Sequence, residues 1–292
     1  MILITGSSGQ LGSYLIESFP ESVGLDIRPS KYTDIVGDIR DDLITLLKDY
    51  EISAIIHAAA QVSVVKSVEN PKYDAENNII GTLNLLEYAR RRDIEHFIYI
   101  SSAAIYGEPE YLPIDEKHPK NPKSPYGLSK LTGETYAMMY GELYGLKVAS
   151  IRPFNIFSPR QDPSSPYSGV ISIFVDRAKR GLPLVIYGDG EQTRDFVNVH
   201  DVVSLIKIVS EKKATGVYNC ATGREISINK LAEMIKELSG KDVPIMHDKP
   251  RDGDIRRSYA DITRARNLGF EPHTNLKEDL RRFFFSENIN LK

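Results

Sequence analysis

A tyrosine four positions ahead of a lysine, Tyr126 and Lys130 in Ser124-Pro125-Tyr126-Gly127-Leu128-Ser129-Lys130, has the residue types and spacing for proton transfer. On a helix, residues at i and i+4 share one face, about 6 Å apart along the axis. A neighbouring ammonium can pull a phenol below its ordinary pKa of about 10, toward a working base. The same spacing also occurs in helices where both side chains merely face solvent. What the pair does therefore depends on the elements that must position it.

The chain opens with Met1-Ile2-Leu3-Ile4-Thr5, an apolar run too short for a helix. It predicts a buried parallel strand and leaves no room for a signal peptide. Gly6-Ser7-Ser8-Gly9-Gln10-Leu11-Gly12 follows and leads into a helix with Leu11, Leu15, Ile16 and Phe19 on its apolar face. Glycines there turn the chain tightly, let backbone N–H groups approach a pyrophosphate and let helix pack on strand. A second apolar segment ends in Val23-Gly24-Leu25-Asp26, with Asp26 twenty residues after Gly6. A carboxylate so placed suits a ribose 2′-hydroxyl and would repel a 2′-phosphate, which favours NAD over NADP. Arg28 works against that preference, and Asp26 could also be a surface residue after an edge strand. Asp38 and Ile39, at the end of strand 33–37, could flank an adenine, or Asp38 could cap a helix. Strand 53–58 runs into His57-Ala58-Ala59-Ala60, whose small side chains admit a ligand to the backbone; His57 is read as structural.

Strand candidates at 1–5, 22–26, 33–37, 53–58, 96–101 and 147–151 alternate with helices, the pattern of an α/β, Rossmann-type doubly wound parallel sheet. Residues 1–152 are predicted to form this nucleotide-binding domain. Residues 153–292 form a smaller mixed α/β lobe, with 194–212 packing back on the first domain. Pro159–Pro166 has the composition of a linker but sits between well-formed elements, so it is read as a lid. The tail 286–292 is polar.

The 292 residues include 37 basic and 40 acidic side chains, a net charge of −3 that gives nucleic acid or anionic lipid no electrostatic reason to bind. One cysteine, Cys220, rules out an intrachain disulfide and thiolate-built metal sites; it is read as a small apolar residue in a strand. No apolar run has the length of a membrane span. The expectation is a cytoplasmic enzyme with no metal, membrane or nucleic-acid partner.

Taken in order, these landmarks resemble the extended short-chain dehydrogenase/reductase family, and within it the NAD-dependent UDP-sugar 4-epimerases. The resemblance rests on Gly6, Gly9 and Gly12, Asp26, Asp38-Ile39, the His57–Ala60 run, Asn78, Ser101–Gly107, Tyr126 and Lys130, Arg152–Asn155, Arg194 in Thr-Arg-Asp-Phe, and Arg251 and Asp254 in Pro-Arg-Asp-Gly-Asp. It implies that NAD is held by Gly6, Gly9, Gln10, Leu11, Gly12, Asp26, Asp38, Ile39, Ala58, Ala60, Asn78, Ser101, Tyr126, Lys130 and Pro153. It also implies that Ser102, Tyr126 and Lys130 are catalytic, with Ser102 and Tyr126 on the sugar's 4-hydroxyl. Asn155, Arg194, Arg251 and Asp254 would hold UDP, and Ser258 would border the pocket for the sugar's C2 substituent, unless it is only a polar turn residue. Related dehydratases carry acidic residues after the serine, whereas this chain has Ala103 and Ala104, which disfavours elimination. A UDP-glucuronate 4-epimerase stands as the alternative substrate reading, and a non-catalytic NAD-sensing regulator as the alternative class. The family's pairing of two helices into a four-helix bundle implies a homodimer through segments 74–92 and 124–144; Leu83, Leu86, Tyr136, Met139 and Tyr140 could instead face their own sheet.

Overall fold

A computed structural model describes residues 1–161, 169–250 and 253–285. Arg251, most of the expected lid and the polar tail 286–292 lie outside the described residues.

The chain's apolar runs assemble into one seven-stranded parallel sheet. Its order is Gly216–Cys220, Lys147–Pro153, His96–Ile100, Ala54–His57, Ile2–Thr5, Ser22–Asp26, Ile35–Val36. The strand His96-Phe97-Ile98-Tyr99-Ile100 shows why it is apolar without alternation: all five residues are buried. Phe97 and Tyr99 pack with Leu85, Leu86 and Ala137 on one face of the sheet, while Ile98 and Ile100 pack with Leu15, Val202 and Ile206 on the other. Both faces are covered by helices, as parallel sheets require.

Strand order reverses around Ile2–Thr5, which lies between Ala54–His57 and Ser22–Asp26. Connections leave the sheet there in opposite directions, so the carboxyl ends of these strands open a crevice. Gly6 makes the turn into it with φ +74, and a Cβ at that position would lie 2.7 Å from the Ala59 backbone nitrogen. Any larger residue would drive the first turn off the neighbouring strand's end.

After residue 153 the chain returns to the large sheet. Helix Val199–Glu211 packs beside helix Gln10–Ser18, and strand Gly216–Cys220 pairs with Lys147–Pro153, with Cys220 fully buried. The remainder of 155–285 builds a smaller lobe from two-stranded pairs and the helices Val170–Lys179, Ile228–Ser239 and Leu276–Phe285. Phe157, Phe174, Leu231, Ile235 and Leu280 form its core.

The segment expected as one helix over 74–92 differs. Helix Pro71–Ala75 passes through a π-helical turn, Glu76–Ile80, into helix Gly81–Arg91. Such a turn widens the helix by one residue and marks functional sites more often than plain helix does. Among the described residues no helix is long and apolar enough to cross a membrane, and no group of three or more His, Cys, Asp or Glu could hold a metal ion.

Candidate active site

Helix Pro125–Tyr144 starts where its sequence says it should. The Ser124 hydroxyl accepts the Gly127 N–H at 3.1 Å and Pro125 occupies the first turn, where its missing N–H costs nothing. One face then carries Tyr126, Lys130 and Glu134 in successive turns. A Cβ on Gly127 would lie 2.7 Å from the Ala104 carbonyl oxygen. Glycine at that position lets the short turn Ala103–Ile105 approach the helix. That turn is capped by Ser102, whose hydroxyl accepts the Ala104 N–H at 3.1 Å. Local chain geometry thus brings Ser102 beside Tyr126.

A cavity of about 730 Å³ runs from the glycine turn across the carboxyl ends of the strands to this helix. Of the residues expected to hold NAD, Gly6, Gly9, Gln10, Leu11, Gly12, Asp26, Asp38, Ile39, Ala58, Ala60, Ser101, Tyr126, Lys130 and Pro153 all line it, together with Ser102 and Asn155. Asp26 accepts the Ser8 N–H at 3.0 Å through one carboxylate oxygen and the Arg28 N–H at 3.0 Å through the other. Lone pairs remain on both oxygens for ribose hydroxyls. Arg40 pairs with Asp38 and holds its carboxyl below the usual carboxylate range despite partial burial. Backbone N–H groups at a helix start, an acidic ribose partner and alanines in place of bulkier side chains are the donor set that a dinucleotide needs, so the residues present fit NAD.

Asn78 is placed differently. It is 1% exposed, does not line the cavity, and bonds instead to Gln61, Ser129 and Asp74 behind the cavity wall. Asn77 takes a place in the lining. Arg194 and Asp254 are brought together as an ion pair, with further Arg194 donors on the Thr193 and Ile255 carbonyl oxygens at 2.7 Å. They stand in the smaller lobe outside this lining, as does Ser258, which is buried.

The electrostatics depart from the expectation that Lys130 lowers the Tyr126 phenol. Burial pushes the Tyr126 phenol up, against a hydrogen bond from Ser102 that lowers it. Burial also pushes Lys130 down to about 7, opposed by the carboxylates of Glu134 and Asp74. Desolvation outweighs the pairwise terms because both groups sit in the cavity wall, where charge is costly. The Lys130 ammonium lies 4.4 Å from the centre of the Tyr99 ring, a cation–π contact. His57 is buried, bonded to Thr5 at 2.8 Å and Thr82 at 3.0 Å, and held down to about 3 by burial and then by Lys130, so it is neutral and structural.

One group went unread in the sequence although its spacing announced it. Glu134, four residues beyond Lys130, forms a buried pair with Arg152: Nε donates to Oε2 at 2.9 Å and the terminal nitrogen to Oε1 at 2.5 Å. Ser150 donates to the same carboxylate at 2.8 Å, and Arg152 also donates to the Tyr106 hydroxyl at 2.7 Å.

A family model described as the NAD dependent epimerase/dehydratase family matches residues 2–221. A UDP-glucose 4-epimerase of Mycolicibacterium smegmatis is 38% identical over 300 residues, covering 95% of this chain and 95% of its own. The structure of a Thermotoga maritima UDP-glucose 4-epimerase with UDP-glucose superimposes with a TM-score of 0.92 at 35% identity, over 97% of each chain. A Methanobrevibacter ruminantium UDP-N-acetylglucosamine 4-epimerase in complex with UDP-N-acetylmuramic acid also gives 0.92, at 33% identity over 97% of this chain and 96% of that one. The chain belongs to the NAD-dependent epimerase/dehydratase family. Its cofactor is NAD.

Proposed function

We propose that the chain is a cytoplasmic UDP-hexose 4-epimerase, acting on UDP-glucose and UDP-galactose and on their 2-N-acetylated counterparts. The observation that carries this reading is the convergence of Ser102, Tyr126 and Lys130 at one end of a cavity whose other end is the glycine turn and Asp26. Bound NAD supplies the hydride acceptor and donor for C4 of the sugar. Tyr126 takes the 4-hydroxyl proton as C4 is oxidised and returns it when C4 is reduced on the opposite face. Ser102 holds the same hydroxyl, and Lys130 holds the nicotinamide ribose. Ala103 and Ala104 supply no acid for elimination, so the keto sugar goes back to an alcohol. Residues 1–152, with the returning helix and strand, hold NAD. The rest of 153–292 holds UDP, with Asn155, Arg194, Arg251 and Asp254 as its contacts. Retaining the keto sugar through the turn of its ring uses the remote UDP binding energy.

Ser258 is assigned to the edge of the C2 pocket, and the likeness to an N-acetylglucosamine epimerase supports a roomy one. Incubation with UDP-glucose, UDP-N-acetylglucosamine and UDP-glucuronate side by side should give 4-epimers of the first two. Ser258→Tyr should abolish the N-acetyl activity selectively, because overfilling a packed site costs about 1–3 kcal/mol while the smaller sugar still fits. Equal loss on all substrates would remove Ser258 from the pocket. A homodimer through the helices around 71–91 and 125–144 is part of the proposal, supported by exposed Ile80, Leu128, Met139 and Leu143 on those segments; of the residues expected on that face only Met139 is exposed, since Leu86 and Tyr140 are buried against their own sheet with Leu83 and Tyr136 packed beside them. Sedimentation at micromolar concentration should show a dimer, and monomer alone would refute it.

A further inference from the structure

Asp74 is a buried carboxylate with no part in the proposed proton and hydride transfers. It lies on helix Pro71–Ala75, against the helix that carries Tyr126 and Lys130, and is 1% exposed. Its Oδ1 accepts from Gln61 Nε2 at 2.8 Å and from Asn78 Nδ2 at 3.2 Å. Its Oδ2 is buried and has no hydrogen-bond partner among the described residues. A carboxylate oxygen out of water and unbonded is expensive to keep, which asks for a compensating charge or a use.

The bonds around Asp74 lead to the catalytic helix in two steps. Asn78 Nδ2 also donates to Ser129 Oγ at 3.0 Å, and Ser129 donates to the Tyr126 carbonyl oxygen at 3.0 Å. On the other side, the Gln61 N–H donates to Asn78 Oδ1 at 2.8 Å, and Gln61 directly follows the alanines of the cavity wall. Asp74 therefore ties the wall beside the cofactor to the turn between Tyr126 and Lys130.

We infer that Asp74 is a positioning residue of this site: its carboxylate clamps Gln61 and Asn78 behind the cavity wall, and its unbonded oxygen presents negative charge to the helix that carries Tyr126 and Lys130. The inference rests on the assignment of Tyr126 and Lys130 as the working pair.

The groups facing Lys130 are few. Tyr126 and Glu134 share its helix, Tyr99 and neutral His57 come from the sheet, and Arg152 is bound up with Glu134. Lys120 lies near Glu134 and Arg152. Lys66 and Glu69 on the adjoining helix are exposed, and Glu76 pairs with Lys72 at the surface. Asp74 acts on both members of the pair in one direction, raising Lys130 and raising Tyr126. Removing its charge must then lower both.

The test is Asp74→Asn, which keeps an acceptor for the amides and deletes the charge. In NAD-loaded protein with ¹⁵N-labelled lysine, the Lys130 ζ-nitrogen resonance, assigned by its loss in Lys130→Met, should titrate about one pH unit lower than in the wild type. Both limbs of the pH–rate profile should move to lower pH together. A purely structural clamp would reduce the rate at every pH without moving either limb, and an unmoved Lys130 titration overturns the inference. Should Asp74→Asn not fold, Asp74→Ser supplies the second arm, read by the same Lys130 resonance, and an unmoved titration there overturns the inference equally. The resonance measurements need no turnover. If the epimerase reading fails, they still decide whether Asp74 governs Lys130.

Discussion

Tyr126→Phe should fold, bind NAD, and lose at least about a hundredfold in turnover, the usual contribution of a positioned acid–base group. The phenylalanine ring fills the space of the tyrosine ring, so neither the helix start at Ser124 nor the cavity wall is disturbed. What disappears is the hydroxyl beside Ser102, which the proposed mechanism makes the acceptor of the sugar's proton. The loss should fall on kcat rather than KM, because the proposed mechanism places the UDP part of the substrate on other residues. Steady-state kinetics alongside calorimetric NAD binding separate the two effects. Turnover like that of the wild type would take Tyr126 out of the mechanism.

The largest effect on stability is expected from Glu134→Gln. Glu134 and Arg152 are 4% and 2% exposed in their side chains, and the substitution leaves the Arg152 charge buried without its counter-ion. Breaking one side of such a pair costs about 3–5 kcal/mol. A urea titration at pH 7 should show the midpoint falling accordingly, with an unchanged midpoint contradicting the assignment. The wild type carries the same interaction in its pH dependence. Burial pushes Glu134 up, but its bonds to Arg152 outweigh this and hold it below its ordinary 4.5. A lowered carboxylate pKa stabilises the fold above the unfolded value and loses that stabilisation as pH falls through the folded value. Wild-type stability should therefore fall below about pH 4.5, and that component should be missing in Glu134→Gln.

The sheet was legible because its strands are buried on both faces. Uninterrupted apolar runs such as Ile2–Thr5 and His96–Ile100 can hardly be anything else in an alternating α/β chain. The cofactor cleft was legible for a related reason: Gly6, Gly9, Gly12 and Asp26 are constrained by backbone geometry, and backbone geometry is local in sequence. What escaped was set by packing between distant segments. Asn78, expected on the cofactor, lies in a π-helical turn and bonds to Gln61 and Ser129, partners that no local pattern in the sequence names. The raised Tyr126 phenol and the lowered Lys130 ammonium follow from burial, which an i and i+4 spacing does not report. Asp74 carries no motif of its own, and its place at the site emerges only when its helix is packed against the one from 125 to 144.

In the proposed mechanism a hydride leaves C4 of a UDP-hexose and comes back to the same carbon within one binding event. UDP-glucose carrying deuterium at C4, incubated with the NAD-loaded protein in ordinary water, tests it most directly. The expected product is UDP-galactose with the deuterium still at C4 and no label in the solvent. Deuterium appearing in water, or a 4-epimer carrying hydrogen at C4, would contradict it.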